Sequence, residues 1–553
     1  MTANGIAFRH PIAFWLGSAM LVAGVLAHGP MFAMSAHTHY RMVGMAMDAT
    51  MVIGMALIPL GLILAAYGLL PRIGQLRASS LSTHDPAYFH LADSVALNRE
   101  HWTLVVVLIV ALSIDVMKPA TLGFVMPGMI AEYAISNQTG ALLALVALAG
   151  TTVGSVAWGH LGDALGRRAA ILLSALMFIG TAICGAMPTF EWNLAMCFLM
   201  GASAGGLLPI AFTLMAETVP AAHRGWLLVT LGGVGTSAGY LLAAGAAALL
   251  EQRYSWRVLW LLGLPTGALI IVLNRWIPES PRFLSSVGLE RQARAVLMRF
   301  SDVRDVVDES ARIEKDDGPD SAEPVLDEKH PIKGMRQLVS GRYAPVTWGL
   351  TACGVSWGLA NFGFVLWLPT NLVALGIPAS GSSELLAKSA LLALPGIPVV
   401  VWLYHRWSTI KSLILFISLS ILSLIAFMLI AMLGLQSATA TMFAAAALLI
   451  SISGVIAMLI PYASEIYPVH VRGVGSGVVA ASSKFGGILG AGLGVIGFFD
   501  EFILSTAAIA VPLVISGLLL YRSGIETRGL RLEDIQTAME KALPDPAAST
   551  EPA

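Results

Sequence analysis

Charged side chains are scarce in this chain of 553 residues: Asp, Glu, Lys and Arg make up 12% of it, with a net charge of −1. A soluble domain carries about a quarter charged residues, so an ordinary water-exposed globule is excluded. The near-zero balance also removes any bulk attraction for nucleic acid or another polyanion. Cysteine is nearly missing. Cys184, Cys197 and Cys353 stand singly in apolar runs without disulfide or metal spacing, and read as packing residues. The apolar core lacks the clustered His, Cys or acidic residues of a membrane enzyme. What fills the chain instead is hydrophobic sequence, 57% of it, at a mean hydropathy of +0.78. That composition is an integral membrane protein's.

Apolar segments lie near 11–28, 48–70, 104–130, 138–158, 169–187, 192–215, 226–249, 257–277, 344–374, 384–404, 412–434, 440–463, 475–498 and 501–521. Most reach the roughly 20 residues that cross a ~30 Å hydrocarbon layer as a helix. The first, preceded by Arg9, has some features of a signal peptide. Its length and the second span soon after favour an uncleaved helix. Lys and Arg gather in alternate loops: Arg72, Arg77 and Arg99; Arg167 and Arg168; Arg224; a cluster in 282–342; Arg406 and Lys411; Arg472; and Arg522 onward. The opposite loops hold little beyond Arg41, Arg253 and Arg257. By the positive-inside rule both termini are cytoplasmic and the number of spans is even. Residues 285–330 begin as an amphipathic helix and pass into a charged linker, and the tail after Arg531 is polar.

The chain repeats itself. "ETVPAAHRG" (217–225) and "EIYPVHVRG" (465–473) share E-x-x-P-x-x-x-R-G, each after the fourth span of a group of six. Two six-helix halves of parallel orientation suggest a duplicated transporter with its site between them. The expected organisation is an extension with two helices (1–103), a bundle (104–282), a cytoplasmic loop (283–343), a second bundle (344–521) and a tail (522–553).

"GHLGDALGRR" (159–168) resembles the signature loop of the major facilitator superfamily, through Gly159, Leu161, Gly162, Asp163, Gly166, Arg167 and Arg168. "PESPRFL" (278–284), with Glu279 and Arg282, resembles the motif of its sugar-porter branch. The resemblance covers about 104–521. It implies an all-α fold of two six-helix bundles working by alternating access, here with two extra N-terminal transmembrane helices. Asp163 could pair with Arg167 or Arg168, or meet a helix N-terminus, as a latch on one conformation. Glu217 and Arg224, Glu279 and Arg282, and Glu465 and Arg472 extend that latch at the same membrane face. In the second half "YHRWSTIKSL" (404–413) has lost the aspartate.

Within the superfamily the first core helix resembles that of aromatic-acid/proton symporters and of synaptic-vesicle-glycoprotein-like and nicotinate-type carriers. Asp115, Gly123, Phe124 and Pro127 fall in register. "GASAGGLLP" (201–209) resembles the group's fourth helix, and 472–490 its eleventh. Two positions depart: Lys118 stands for a second aspartate, and Lys484 for an arginine that the resemblance places at substrate carboxylate. Lysine keeps the charge of that arginine but loses its fork.

Asp115 lies about twelve residues into its span, so at 1.5 Å per residue it is ~18 Å deep, where a charge needs a partner or a wet cavity. Lys118, one turn on, is either that partner or an anion-facing charge of its own. Lys484 reaches a similar depth in its span, and Asn361 is the polar side chain of the seventh core helix most suited to line a cavity. Glu384 and Lys388 read as an interfacial pair at i,i+4.

The extension carries repeated Met and His in "HGPMFAMSAHTHYRMVGMAMDATM" (28–51). His37, His39, Met42 and Met45 are candidate ligands for a soft ion. Methionine as apolar filler is the competing explanation, and the expectation is no cofactor or metal. The expected function is proton-coupled import of a small organic anion, with Asp115 carrying the proton and Lys118 and Lys484 facing the anion. A sugar or polyol symporter is the alternative, followed by an exporter and a receptor on a transporter scaffold. Partners are the substrate, protons and the lipid bilayer, with the monomer as working unit, in a bacterial inner membrane.

Overall fold

The computed structural model describes residues 10–69, 95–286, 289–300, 338–339, 343–374, 377–433, 437–467 and 469–528. Among these residues the regular structure is helical. Thirteen helices are long and apolar enough to cross a membrane. The fourteenth expected span, Val258–Leu273, is a shorter apolar helix.

In chain order the elements are α1 (Pro11–Leu26), α2 (Ala49–Leu69), α3 (Arg99–Tyr133), α4 (Asn137–Leu165), α5 (Arg167–Ala186), α6 (Phe190–Thr218), α7 (Ala221–Tyr254) and α8 (Val258–Leu273). A short amphipathic helix, α9 (Glu290–Phe300), precedes the second group. That group is α10 (Ala344–Val373), α11 (Ala379–Arg406), α12 (Thr409–Met432), α13 (Ala438–Ile466), α14 (Val469–Val495) and α15 (Phe502–Ser523).

The chain forms two compact units. One comprises Met1–Ser136, Val146–Leu227 and Ala238–Pro319; the other comprises Asn137–Leu145, Leu228–Ser237 and Asp320–Ala553.

In the first unit small residues let backbones meet, as membrane helices require in the absence of a hydrophobic force between them. A Cβ on Gly17 of α1 would sit 2.5 Å from the Gly61 carbonyl of α2, so these two helices pack with their backbones almost touching. The pair lies against α5, where a Cβ on Gly180 would meet Ile58 at 2.9 Å. Gly150 and Gly154 of α4 cross α6 at Phe198 and Ala202, and the Ser155 hydroxyl donates to the Gly205 carbonyl at 2.9 Å. The glycine-rich stretch at 201–209 is thus a packing surface. In the second unit the same device joins α10 to α14: Gly354 and Gly358 lie on Ser482 and Ser483, and Gly486 lies on Val355.

Two helices change pitch where the site residues stand. The α-helical part of α5 ends at Gly180 and continues as a 3₁₀ turn over Thr181–Ala186. In α10 a π-helical segment spans Leu359–Val365. The 3₁₀ turn is tighter and the π segment wider than an α-helix; mid-helix 3₁₀ stretches often mark a hinge, and π segments frequently stand at functional sites.

Candidate functional site

Asp115 lies near the midpoint of the 35-residue α3 and is 6% exposed. Four residues on, Pro119 has no N–H to give, so the Asp115 carbonyl loses its helical partner beside the buried carboxylate. Next to it α7 comes close, with Gly239 against Ser113 and Val116. Further along, the Tyr240 ring lies 5.7 Å from Phe124, and its buried hydroxyl has no hydrogen-bond partner among the described residues.

The Lys118 side chain is 1% exposed, and its ammonium donates to the Phe178 carbonyl at 2.7 Å and the Thr181 hydroxyl at 2.5 Å. The ammonium also lies over the Phe178 ring, 3.9 Å from its centroid. Phe178 is in the last α-helical turn of α5, just before the helix tightens into its 3₁₀ turn. Lys118 thus ties α3 to α5 inside the first unit, its ammonium engaged by the Phe178 carbonyl and the Thr181 hydroxyl. Gly263 of α8 makes room for it, since a Cβ there would be 2.6 Å from the ammonium nitrogen.

Asn361 is half-buried within the π-helical segment of α10, and its carbonyl accepts the Leu366 N–H at 3.1 Å. Trp357, one turn earlier, donates to the Ile452 carbonyl at 2.9 Å and so packs α10 on α13. Lys484 is half-buried near the middle of α14. Glu384 and Lys388 form the expected exposed pair, at 2.6 Å.

At the arginine-rich end of the first unit, Gly166 holds φ +96°, a conformation that suits glycine alone, and a Cβ there would collide with the Glu279 carboxylate. Glu279, 3% exposed, accepts the Arg167 N–H at 2.6 Å and the Arg168 N–H at 3.3 Å, capping the free amides that begin α5. Burial pushes its carboxyl up to about 7, against the opposing pull of the Ser280, Arg168 and Arg167 N–H groups. The Ser280 hydroxyl donates to Glu217, which also lies 3.9 Å from the Arg167 guanidinium. Arg168 donates to the Asn274 carbonyl at 3.1 Å, and Arg224 to the Val219 carbonyl at 3.3 Å. A Cβ on Gly159 would meet nothing, so packing does not demand glycine there. The side chains of Asp163, Arg282 and Arg472 lie outside the described residues.

The second unit repeats this arrangement with residues that motif reading passed over. Glu526, just after α15, accepts the Thr409 N–H at 3.0 Å and the hydroxyls of Ser408 and Thr409, and so caps the start of α12. The Thr527 hydroxyl donates to Glu465 at 2.7 Å, as Ser280 does to Glu217. Burial raises the Glu526 carboxyl, but the Ser408, Thr409 and Arg528 donors more than offset this and hold it below the ordinary value. The signal lay in the sequence: Glu-Ser at 279–280 and Glu-Thr at 526–527 each follow the sixth helix of a half.

A further network went unread. At the opposite end of the first unit Arg257 is fully buried, 2.8 Å from Glu132, and donates to the Gly185 and Met187 carbonyls at 3.1 and 2.9 Å. Trp256 donates to the same carboxylate at 2.9 Å, as does the backbone N–H of Met42. Arg257 and Glu132 are far apart in sequence, and neither sits in a motif.

Duplicated caps, a discontinuous helix in the second unit and a mid-helix carboxylate in the first fit a secondary transporter. A family model described as Major Facilitator Superfamily matches residues 103–491. The chain belongs to that superfamily. It is a multi-pass membrane transporter, not an enzyme, and residues before 103 precede the matched region. Relatives include a niacin transporter of Acinetobacter baylyi, 27% identical over 462 residues that cover 80% of this chain and 98% of that one. A synaptic vesicle 2-related protein of Rattus norvegicus is 26% identical over 477 residues, covering 80% and 81% of the two chains. An inner membrane metabolite transport protein of Escherichia coli is 27% identical over 417 residues, covering 72% and 86%. Among solved structures, a proton:xylose symporter bound to 6-bromo-6-deoxy-D-glucose matches with a TM-score of 0.62 at 16% identity, over 80% of this chain and 99% of that one. That likeness establishes the fold.

Proposed function

We propose that this superfamily member imports a small organic anion together with a proton. The observation that carries the reading is the buried Asp115, at mid-helix beside a proline that frees its own carbonyl. A carboxylate at that depth is stable when it is paired or protonated, which suits a group that loads and releases a proton. Besides Lys118, whose ammonium is engaged with α5, the deep charges counted along the spans are Asp115 in the first unit and Lys484 in the second. They balance when no ligand is present. A proton on Asp115 removes the negative charge and leaves Lys484 in excess, so an anion restores neutrality. Proton and anion then bind as a pair.

The niacin transporter among the relatives supports a carboxylate, since niacin is a pyridine carboxylic acid. The arginine-rich loops support a bacterial inner-membrane orientation with both termini inside. The caps at Glu279 and Glu526, with Glu217 and Glu465, would set the rate of alternation between states and leave ligand choice to the midplane residues.

Purified protein in liposomes, loaded and then given an inward proton gradient, separates the readings. Niacin and other aromatic or aliphatic carboxylates should accumulate above their equilibrium level, and xylose or a polyol should not. Gradient-driven accumulation of the sugar without any carboxylate would give the sugar/polyol alternative its place.

A further inference from the structure

We propose that the N-terminal extension holds a site for a monovalent soft cation of the Cu(I)/Ag(I) kind, with the His28 imidazole and the thioethers of Met31, Met42 and Met51 as ligands. The site lies outside the region matched by the superfamily, and the proposal does not depend on the transported substrate.

The imidazole comes first. His28 is 1% exposed, and its Nδ1 lies 2.9 Å from the Gly24 carbonyl one turn back along α1. A carbonyl can only accept, so Nδ1 carries the proton and Nε2 is left as a bare lone pair. That Nε2 is buried and has no hydrogen-bond partner among the described residues. A buried acceptor without a donor is a cost that folded proteins avoid. A metal-ligating histidine shows this same pattern: one ring nitrogen donates to a backbone carbonyl, which fixes the tautomer and turns the other to the ion.

Helical spacing and one buried cluster bring three methionines to the same part of the helix pair. Met31 follows His28 by three residues on the continuing helical turn, which puts both on one face. Across the helix pair, a Cβ on Gly54 would lie 3.1 Å from His28 Cε1, so the ring rests on the first turns of α2. Met51, three residues before Gly54, shares that face. Met31, Met42 and Met51 are 3%, 0% and 1% exposed and form one cluster with Ala186, ringed by Phe32, Met45 and Met47. Met42 is fixed by its backbone N–H on Glu132, 2.9 Å away. Asp48, the nearby carboxylate, is occupied as the cap of α2, accepting the Met51 N–H at 2.8 Å.

Neutral imidazole and thioether donors in an apolar shell suit a soft, singly charged ion and leave a hard or doubly charged one undercompensated. Two of the histidines that drew attention in the sequence, His37 and His39, are exposed and take no part. Leucine would fill the same volume with better-defined rotamers, so hydrocarbon packing alone does not call for so many methionines.

The test uses the full chain in detergent, equilibrated with Ag(I) as a redox-inert probe, desalted and analysed for bound silver. The buried thiols of Cys184, Cys197 and Cys353 are common to every variant, so the comparison is by difference. The wild type should hold one more equivalent than a Met31→Leu/Met42→Leu/Met51→Leu variant, in which near-isosteric side chains keep the packing. His28→Leu should lower the affinity of that equivalent about 10- to 100-fold. Met34→Leu, at a position 54% exposed, should retain it in full. In protein carrying ¹³C-methyl methionine, Ag(I) should shift the Met31, Met42 and Met51 resonances and leave Met34 in place. Equal silver in the wild type and the triple variant, or unmoved Met31, Met42 and Met51 resonances, would overturn the site.

Discussion

Asp115 and Lys118 stand three residues apart on α3, yet the fold gives them separate tasks. The lysine turns toward the end of α5, where a carbonyl and a hydroxyl take its ammonium. The aspartate stays buried beside the backbone break at Pro119. Asp115→Asn keeps size and hydrogen bonding but cannot exchange a proton. It should abolish accumulation driven by a pH gradient, while exchange of labelled for unlabelled substrate, which needs no net proton movement, continues. The check is uptake against counterflow in the same liposomes; wild-type accumulation with wild-type pH dependence in Asp115→Asn would remove the aspartate from the coupling. At this scale the sequence was half legible. Depth and scarcity of charge singled out both residues, because a charge in hydrocarbon must have a reason. Which partner each one takes depends on where α5 stops being α-helical, and no local pattern in 167–186 announces that change of pitch.

Helix starts tell a similar story at the scale of elements. The spans could be read from length and hydropathy, and the loop between α4 and α5 from its glycines and arginines. The group that satisfies the first amides of α5 comes from Glu279, more than a hundred residues away. In the second half the loop has lost its aspartate, yet the α12 amides are still capped, by Glu526. The two caps share a role but not an environment, and that makes them separable by pH. Folding raises Glu279 from the usual 4.5 to about 7. Its protonated form is the favoured one, so its contribution is fully present below 4.5 and fades as pH rises through about 7. Such a shift corresponds to about 3 kcal/mol between the two ends of that window. Glu526 lies below its ordinary value, so its contribution has the opposite sign, present above that value and lost only in acid. Melting temperature in detergent at pH 5 and pH 8 should therefore fall toward pH 8 in the wild type. Glu279→Gln should flatten this slope by several degrees, and Glu526→Gln should leave it. An unchanged slope in Glu279→Gln would show that the titrating group lies elsewhere.

For the whole molecule, duplication is the feature that the sequence made plainest. Repeated E-x-x-P-x-x-x-R-G elements marked two halves because each half needs the same acidic group at the same helix end. By depth along the spans, one carboxylate, Asp115, stands with two lysines, Lys118 and Lys484, a formal excess of one positive charge. The Lys118 ammonium is engaged by α5, and on the proposed function the argument for an anion changes form. On the proposed function, Asp115 and Lys484 are the deep charges that remain in the count, and the anion is needed only after the proton arrives, which ties affinity to pH. Carboxylate affinity should rise as pH is lowered in the wild type, whereas in Asp115→Asn, already neutral there, it should be high and flat. Lys484→Gln deletes the charge that the anion would meet. Loss of one charge-assisted contact costs about 1.5–3 kcal/mol, or roughly one to two decades in affinity. Binding of a neutral competitor should hardly change. Substrate affinity of the three proteins, measured across pH 5.5–8 on one carboxylate and one neutral analogue, checks both statements together. If Lys484→Gln binds the carboxylate as the wild type does, the lysine lies along its helix without facing the ligand, and the sugar/polyol reading becomes the stronger one.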